Sequence, residues 1–424
     1  MPGLDKSVPF TLLILAVAAC GGDAASGGDG SWRAQRDTIG DTVVVRTLEG
    51  SAWGGEPTLV EELRIGALDG PPETTFGGIA SLAVDPAGRI HVVDAQAKTV
   101  RVFASNGAYL RSIGREGQGP GELRRPHGIA FLPDGRLLVR DFDNARINVY
   151  TEAGEPLDSW PIPGGFSPSH PLQIDTAGHT YTLIIADRLE SIDWRLGLLH
   201  FDASGAIVDT LRVPDWEYEP PDLTAIRRAD GRQVGFSRYT VPFTGTETWA
   251  FSPLGYFVGG VSTRYAIDLY SRDEPVLRIE RTVPPVAVLP EERADRERVV
   301  TAAQRRAEPG WRWNGPPIPE QKPPFRSVRV DDDGRIWVDL YQRGRLRNDA
   351  AEIPDIEEDG SARSRWTQPL VYDIYEPDGR LLGTVRLPDR FDLHVARGDL
   401  VWGVIRDEFD VEYVARYRLN PPHR

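Results

Sequence analysis

Cysteine, methionine and lysine are nearly missing from this chain of 424 residues. There is one Cys and one Met. Lysine stands only at positions 6, 98 and 322, so arginine carries almost all the positive charge. A single Cys cannot form an internal disulfide and excludes a multi-cysteine zinc site. Basic residues are also outnumbered: 49 Lys plus Arg face 63 Asp plus Glu, a net charge of −14. That balance argues against a nucleic-acid partner, whose phosphates call for a basic surface. No apolar run is long enough to span a bilayer, which takes about 20 residues.

What is present is turn chemistry and apolar residues. Gly 43 and Pro 35 suit a turn-rich β protein better than a helical bundle. A hydrophobic fraction of 40% supplies a core and excludes wholesale disorder.

The N-terminus reads as an address. Val8 to Ala19 is an apolar run of signal-peptide length. It ends in Val17-Ala18-Ala19-Cys20, which resembles the bacterial lipobox. That resemblance implies cleavage after residue 19 and lipid attachment at Cys20. Residues 20–40 are expected to be a flexible tether and 41–420 the folded domain. The expected location is extracytoplasmic, membrane-anchored through the lipid, at the outer membrane or in the periplasm.

The remainder repeats. Leu82-Ala83-Val84-Asp85-Pro86-Ala87-Gly88-Arg89-Ile90 and Ile129-Ala130-Phe131-Leu132-Pro133-Asp134-Gly135-Arg136-Leu137 share one pattern of strand, turn and strand. Glycines at 88, 135, 178, 255, 334 and 398 mark six first hairpins. A second turn follows an aromatic residue, as in Phe103 with Gly107 and Tyr150 with Gly154. Six four-stranded units predict an all-β, six-bladed β-propeller. The last unit lacks its fourth strand. Leu59 to Ile65 matches it, so the N-terminal strand is expected to close the last blade. Thr42 to Arg46 reads as a further strand with no place in the ring.

Three insertions lengthen the ring. Asp215 to Thr246 is expected to be an irregular crossing. Residues 290–308 are expected to be helical, with Val299, Val300 and Ala303 on one face, followed by an aromatic stretch whose Trp311 and Trp313 could lid the channel. Residues 342–366 are expected to form a mobile loop.

Gly117-Gln118-Gly119-Pro120-Gly121-Glu122-Leu123, Pro126-His127-Gly128 and Asp141-Phe142-Asp143-Asn144-Ala145-Arg146 closely resemble the NHL-repeat type of six-bladed propeller. The resemblance implies glycines at the crossing between blades, and Asp and Arg holding turns. It does not fix an activity, since this fold hosts scaffolds, receptors, lactonases and lyases.

A ligand is expected at the mouth of the central channel, where each innermost strand begins. Counting eight back from each turn glycine gives Ala80, His127, His170, Glu247 and Arg326. In blade six the register slips, and the equivalent falls among Asp389, Arg390 and Phe391. Three readings stay open. One is a ring of ion pairs between blades, such as Glu247 with Arg326. The second is a divalent metal, zinc or calcium, on His127, His170 and Glu247, because two imidazoles and a carboxylate leave zinc an open catalytic position. This set is similar to that of the propeller lyase acting on peptidyl-hydroxyglycine, whose zinc histidines sit in Pro-His motifs; Pro126-His127 matches one. The third is an anion or carboxylate held by Arg326 and Arg390. Asp94 and Asp141 share one repeat position and are expected to cap turns. His91, His179 and His200 have no partners in register. The expected role is a monomeric binding or scaffold protein at the envelope, for a protein, peptide or small ligand. The alternative is a metal-dependent lyase or hydrolase at the channel mouth.

Overall fold

The computed structural model describes residues 24–26, 32–163, 165–166, 171–188, 194–271 and 274–422. The signal segment, Cys20 and His170 lie outside the described residues.

Six antiparallel sheets form a closed ring. Blade one is Ile79–Val84, Ile90–Asp94, Thr99–Phe103 and Tyr109–Ile113. Blade two is Pro126–Phe131, Leu137–Asp141, Arg146–Tyr150 and Pro156–Pro161. Blade three is Gln173–Ile174, Thr180–Arg188, Trp194–Phe201 and Ile207–Arg212. Blade four is Glu247–Phe251, Phe257–Val261, Ala266–Ser271 and Glu274–Arg281. Blade five is Phe325–Val330, Ile336–Leu340, Leu370–Tyr375 and Leu381–Leu387. Blade six is Phe391–Arg397, Leu400–Arg406, Glu412–Asn420 and, from the other end of the chain, Thr58–Ile65. That last strand pairs antiparallel with the third, Ile65 opposite Val414 and Thr58 opposite Asn420.

All six predicted turn glycines have positive φ, between 58° and 88°. A Cβ is unfavourable there, which is why the turns select glycine. Strand residues alternate between the two faces of a blade. The apolar ones therefore pack into six clusters, one at each junction between neighbouring blades. Ala83, Val93, Ile129 and Val139 join blades one and two. Ile79, Leu82, Trp402 and Val404 join blades six and one. Asp94 and Asp141 do cap turns: Asp94 accepts Gln96 N and Ala97 N, and Asp141 accepts Arg124 N and Arg125 N.

The N-terminal strand with no predicted place belongs to a strap. The hairpin Arg33–Ile39 and Thr42–Glu49 adds to blade four, with Val43 to Thr47 parallel to Leu277 to Arg281. Residues 20–40 are thus not all tether: from Trp32 onward the segment is bound, and Trp32, Ala34 and Val45 are buried in the junction between blades four and five. The chain then passes blade five, where Ala52 N and Trp53 N donate to Leu381 O and Leu382 O. It continues into blade six. One strap therefore covers the outer edges of three consecutive blades.

The insertions all leave from the end of the ring where the innermost strands start. Residues expected to be irregular form a regular hairpin, Asp222–Ala229 with Arg232–Thr240, turned by Asp230-Gly231. The helix Pro290–Ala307 lies against it. Its buried residues are Glu292, Asp295, Val300, Ala302 and Gln304; of the expected apolar face only Val300 is buried, while Val299 and Ala303 are half-buried. It docks through polar side chains: Gln304 donates to Leu223 O at 2.9 Å, and Asp295 accepts Ser364 Oγ at 2.7 Å. Trp311 is 4% exposed in the cap's own core with Leu223, Phe243 and Ile318, so it is packing and not a lid. The 342–366 loop is stitched down as well. Arg298 donates to Asp355 O and Arg363 O, and Ile353 is buried. Its polar sequence serves the helix, and the segment forms part of the cap.

Candidate functional site at the capped mouth of the channel

The strand starts carry a local irregularity that aims their side chains. In blades one, two, five and six the pairing between the first and second strands skips one residue. Such a bulge leaves the extra residue outside the ladder and turns its side chain. The skipped residues are Ala80 in blade one, Arg326 in blade five and His394 in blade six; in blade two the skip falls at His127-Gly128. The predicted repeat position is therefore real in these blades, but in blade six His394 occupies it, not Arg390. The reason is turn length. Arg397 pairs with Leu400, so Gly398 sits in a two-residue turn and counting back eight overshoots.

His127 is half-buried, and its Nδ1 is buried without a hydrogen-bond partner among the described residues. Burial pushes its pKa down, and the charges of Arg140, His394 and Arg125 push the same way. Blades two and six flank blade one, where the small Ala80 holds the same position. His394 Nε2 lies 3.6 Å from Asp392 Oδ2 and holds that carboxyl below its usual range. Arg140 is fully buried, donates to Thr182 at 2.9 Å, and is lowered to about 10 by burial.

Other predicted residues stand apart. Arg326 does not pair with Glu247; it binds Asp339 of its own blade at 2.8 Å. Glu247 is at the surface and accepts Tyr218 N at 3.3 Å. Burial raises its carboxyl, and Asp215 adds to the rise. Arg390 has φ of 59° and pairs with Asp410, while Asp389 pairs with Arg345. Among the described residues, no three His, Cys, Asp or Glu stand close enough together to hold a metal ion. His91, His179 and His200 each have a carboxylate, from Asp85, Asp175 and Asp209 at 3.4, 3.0 and 3.0 Å. They staple turns and strands locally.

A second group of residues beside Arg326 was not visible as a unit in the sequence. Lys322 is fully buried and donates to Glu292 Oε1 at 2.6 Å and to Gln342 O at 2.9 Å. It stands 4.7 Å over the Phe243 ring, and Arg296 stands 5.7 Å from the same ring. Phe243 meets Tyr341 edge-on at 5.9 Å, and Arg326 lies 5.9 Å from the Tyr341 ring. Burial lowers the Lys322 pKa, Glu292 resists, and Arg296 and Arg326 lower it further. Three cations thus face two carboxylates, Glu292 and Asp339. Among the described residues Arg296 meets no carboxylate at ion-pair distance, and the Nε atoms of Arg296 and Arg326 are buried without partners. This corner, between the helix and the start of blade five, has an excess of positive charge beside two aromatic rings.

A family model described as "6-bladed beta-propeller" matches residues 67–160, which span blades one and two. No curated protein sequence matches the chain. Among solved structures, a member of the DUF4221 family from Bacteroides vulgatus is similar at 12% identity, with 86% of this chain and 98% of that one covered and a TM-score of 0.49. Virginiamycin B lyase from Staphylococcus aureus is similar at 10% identity, covering 86% and 100%, with a TM-score of 0.39. The PQQ-bound aldose sugar dehydrogenase of Streptomyces coelicolor is similar at 11% identity, covering 86% and 99%, with a TM-score of 0.39. At these identities and scores the likenesses bring no activity to this chain, whose architecture is the six-bladed β-propeller given by its own sheet order and by the family match.

Proposed function

We propose that the chain is a lipid-anchored, extracytoplasmic binding protein that takes an anionic ligand, of carboxylate type, on its capped face. The observation that carries this reading is the uncompensated Arg296 beside Arg326, at the foot of a cap with its own core. Arginine forks suit a planar carboxylate. The flanking rings of Phe243 and Tyr341 suit a ligand with an apolar body. The lipobox resemblance at Cys20 supports the anchor. The NHL-type reading is supported by the crossing at 117–123, where Asn144 donates to Gly117 O and Arg146 to Gly119 O.

The test is native mass spectrometry of the domain purified from its own envelope, followed by thermal melts with a panel of dicarboxylates. A co-purifying acid, or a rise in Tm lost in Arg296→Ala and Arg326→Ala, is the expected result. No anion-dependent rise in the intact domain would sink the reading. Zinc or calcium retained by the domain and lost in His127→Ala would favour the metal-dependent lyase or hydrolase instead.

A further inference from the structure

The hairpin Asp222–Ala229 with Arg232–Thr240 pairs with no blade. Its base is fixed: Leu223 and Ala225 are buried against the cap, and Arg238 pairs with Asp222 at 2.6 Å. Its tip is different. Arg227, Arg228 and Arg232 are exposed, and among the described residues none meets a carboxylate at ion-pair distance. Asp230 in the turn is the lone acid beside them. Val234, on the same stretch as these arginines, is 63% exposed. In a chain of net charge −14, this is a concentrated positive tip with an exposed apolar side chain beside it.

Its place in the ring is informative. The hairpin springs from the connection that enters blade four at Glu247. The N-terminal strap joins the ring at the outer edge of the same blade, with Arg33 opposite Glu49 and Thr47 beside Arg281. Ala24–Ser26 pairs along Arg33–Gln35. From Ala24 back to Cys20 is four residues, which span at most roughly 14 Å. A lipid on Cys20 would therefore hold blade four, and the hairpin beside it, close to the bilayer.

We infer that this hairpin is a membrane-contact element, with Arg227, Arg228 and Arg232 at its tip meeting anionic lipid headgroups while Val234 enters the interface. The inference rests on the anchored reading, since three arginines are too few to recruit so acidic a protein from solution. One lipid signal plus a basic patch is a known physical route to stable attachment. Each basic residue near an anionic surface strengthens contact roughly fivefold.

The test supplies the anchor artificially. The domain from residue 21 onward, which includes the whole closed ring, carries an N-terminal histidine tag. It is held on phosphatidylcholine vesicles by a nickel-chelating lipid, with or without phosphatidylglycerol. Val234→Cys carries an environment-sensitive dye. The expected result is a blue shift and quenching by brominated lipid on phosphatidylglycerol vesicles. Both are lost at high salt and in Arg227→Glu with Arg228→Glu and Arg232→Glu. An unshifted dye on anionic vesicles, or a shift that survives charge reversal, overturns the inference; the latter would point to a protein-like apolar contact. Because nickel holds the domain, failure here is separate from failure of acylation at Cys20, which membrane fractionation reads on its own.

Discussion

Lys322 and Glu292 meet at 2.6 Å with both side chains out of reach of water, and they tie the crossing into blade five to the first turn of the cap helix. Such a pair adds little over an apolar pair, but breaking it strands a buried charge. Lys322→Ala is expected to cost about 3–5 kcal/mol, by analogy with other half-removed buried pairs. Replacing both partners by apolar residues should recover most of it. Urea melts of the single and double variants check this, and equal loss in both would show that the side-chain volumes matter and the charges do not.

Trimming the strap should have graded effects. Removal through residue 50 strips the hairpin from blade four and takes with it the buried side chains of Trp32, Val44 and Val45. Each large buried apolar side chain stabilises by about 1.5–3 kcal/mol, so the domain should fold but melt at clearly lower denaturant. Removal through Ile65 takes the fourth strand of blade six as well and should leave no cooperative transition. Circular dichroism against guanidinium distinguishes the outcomes; a stable ring after the longer cut would contradict the closure.

Acid dependence should show at Asp331. Burial pushes its carboxyl up to about 6, although Trp337 Nε1 at 3.0 Å and Arg335 N at 2.8 Å favour the charged form. A raised carboxyl pKa means that the folded state holds the proton longer than the unfolded chain. The group is therefore neutral in effect below about pH 4, and it destabilises progressively as pH rises from 4 to 6. A rise of this size corresponds to about 2–3 kcal/mol. Asp331→Asn should remove that slope, so the difference in urea midpoint between the two proteins should change across this window and be flat above it. A difference that is constant from pH 4 to 7 would refute the assignment.

Cys20→Ala should move the protein from the membrane to the soluble envelope fraction. The described residues contain no helix long and apolar enough to cross a membrane. Sedimentation after a high-salt wash reads the result, and a variant that still pellets would refute anchoring at this residue.

The ring was legible because its turns demand a particular residue. Gly88, Gly135, Gly178, Gly255 and Gly334 all recur in turns of one kind, so spacing alone located the blades. The same counting failed at Gly398 because a tighter turn shifted the register, and His394 was passed over in favour of Arg390. The cap was harder to read. Its helix buries Glu292, Asp295 and Gln304, polar residues that carry no hydrophobic period. The Asp230-Gly231 hairpin did have a readable signal, a type I′ turn pair between alternating residues. The cation group around Arg326 could not be found from spacing, since Phe243, Arg296, Lys322 and Tyr341 come from four separate segments of the chain and meet only through the cap.

The closing strand has a consequence for how the chain reaches its native state. Tyr417 donates to Glu61 at 2.6 Å across 356 residues of sequence. Synthesis runs from the N-terminus, so the strand made almost first is used last. Until the final blade emerges, Thr58–Ile65 has nothing to pair with, and the strap hairpin must wait for blade four. Contacts of such separation slow folding, because a long loop must close before they reward it. The early ribosomal product is thus a pair of sticky, unsatisfied strands awaiting their partners. The rate of ring closure, more than the stability of any blade, should decide how much of this protein escapes aggregation.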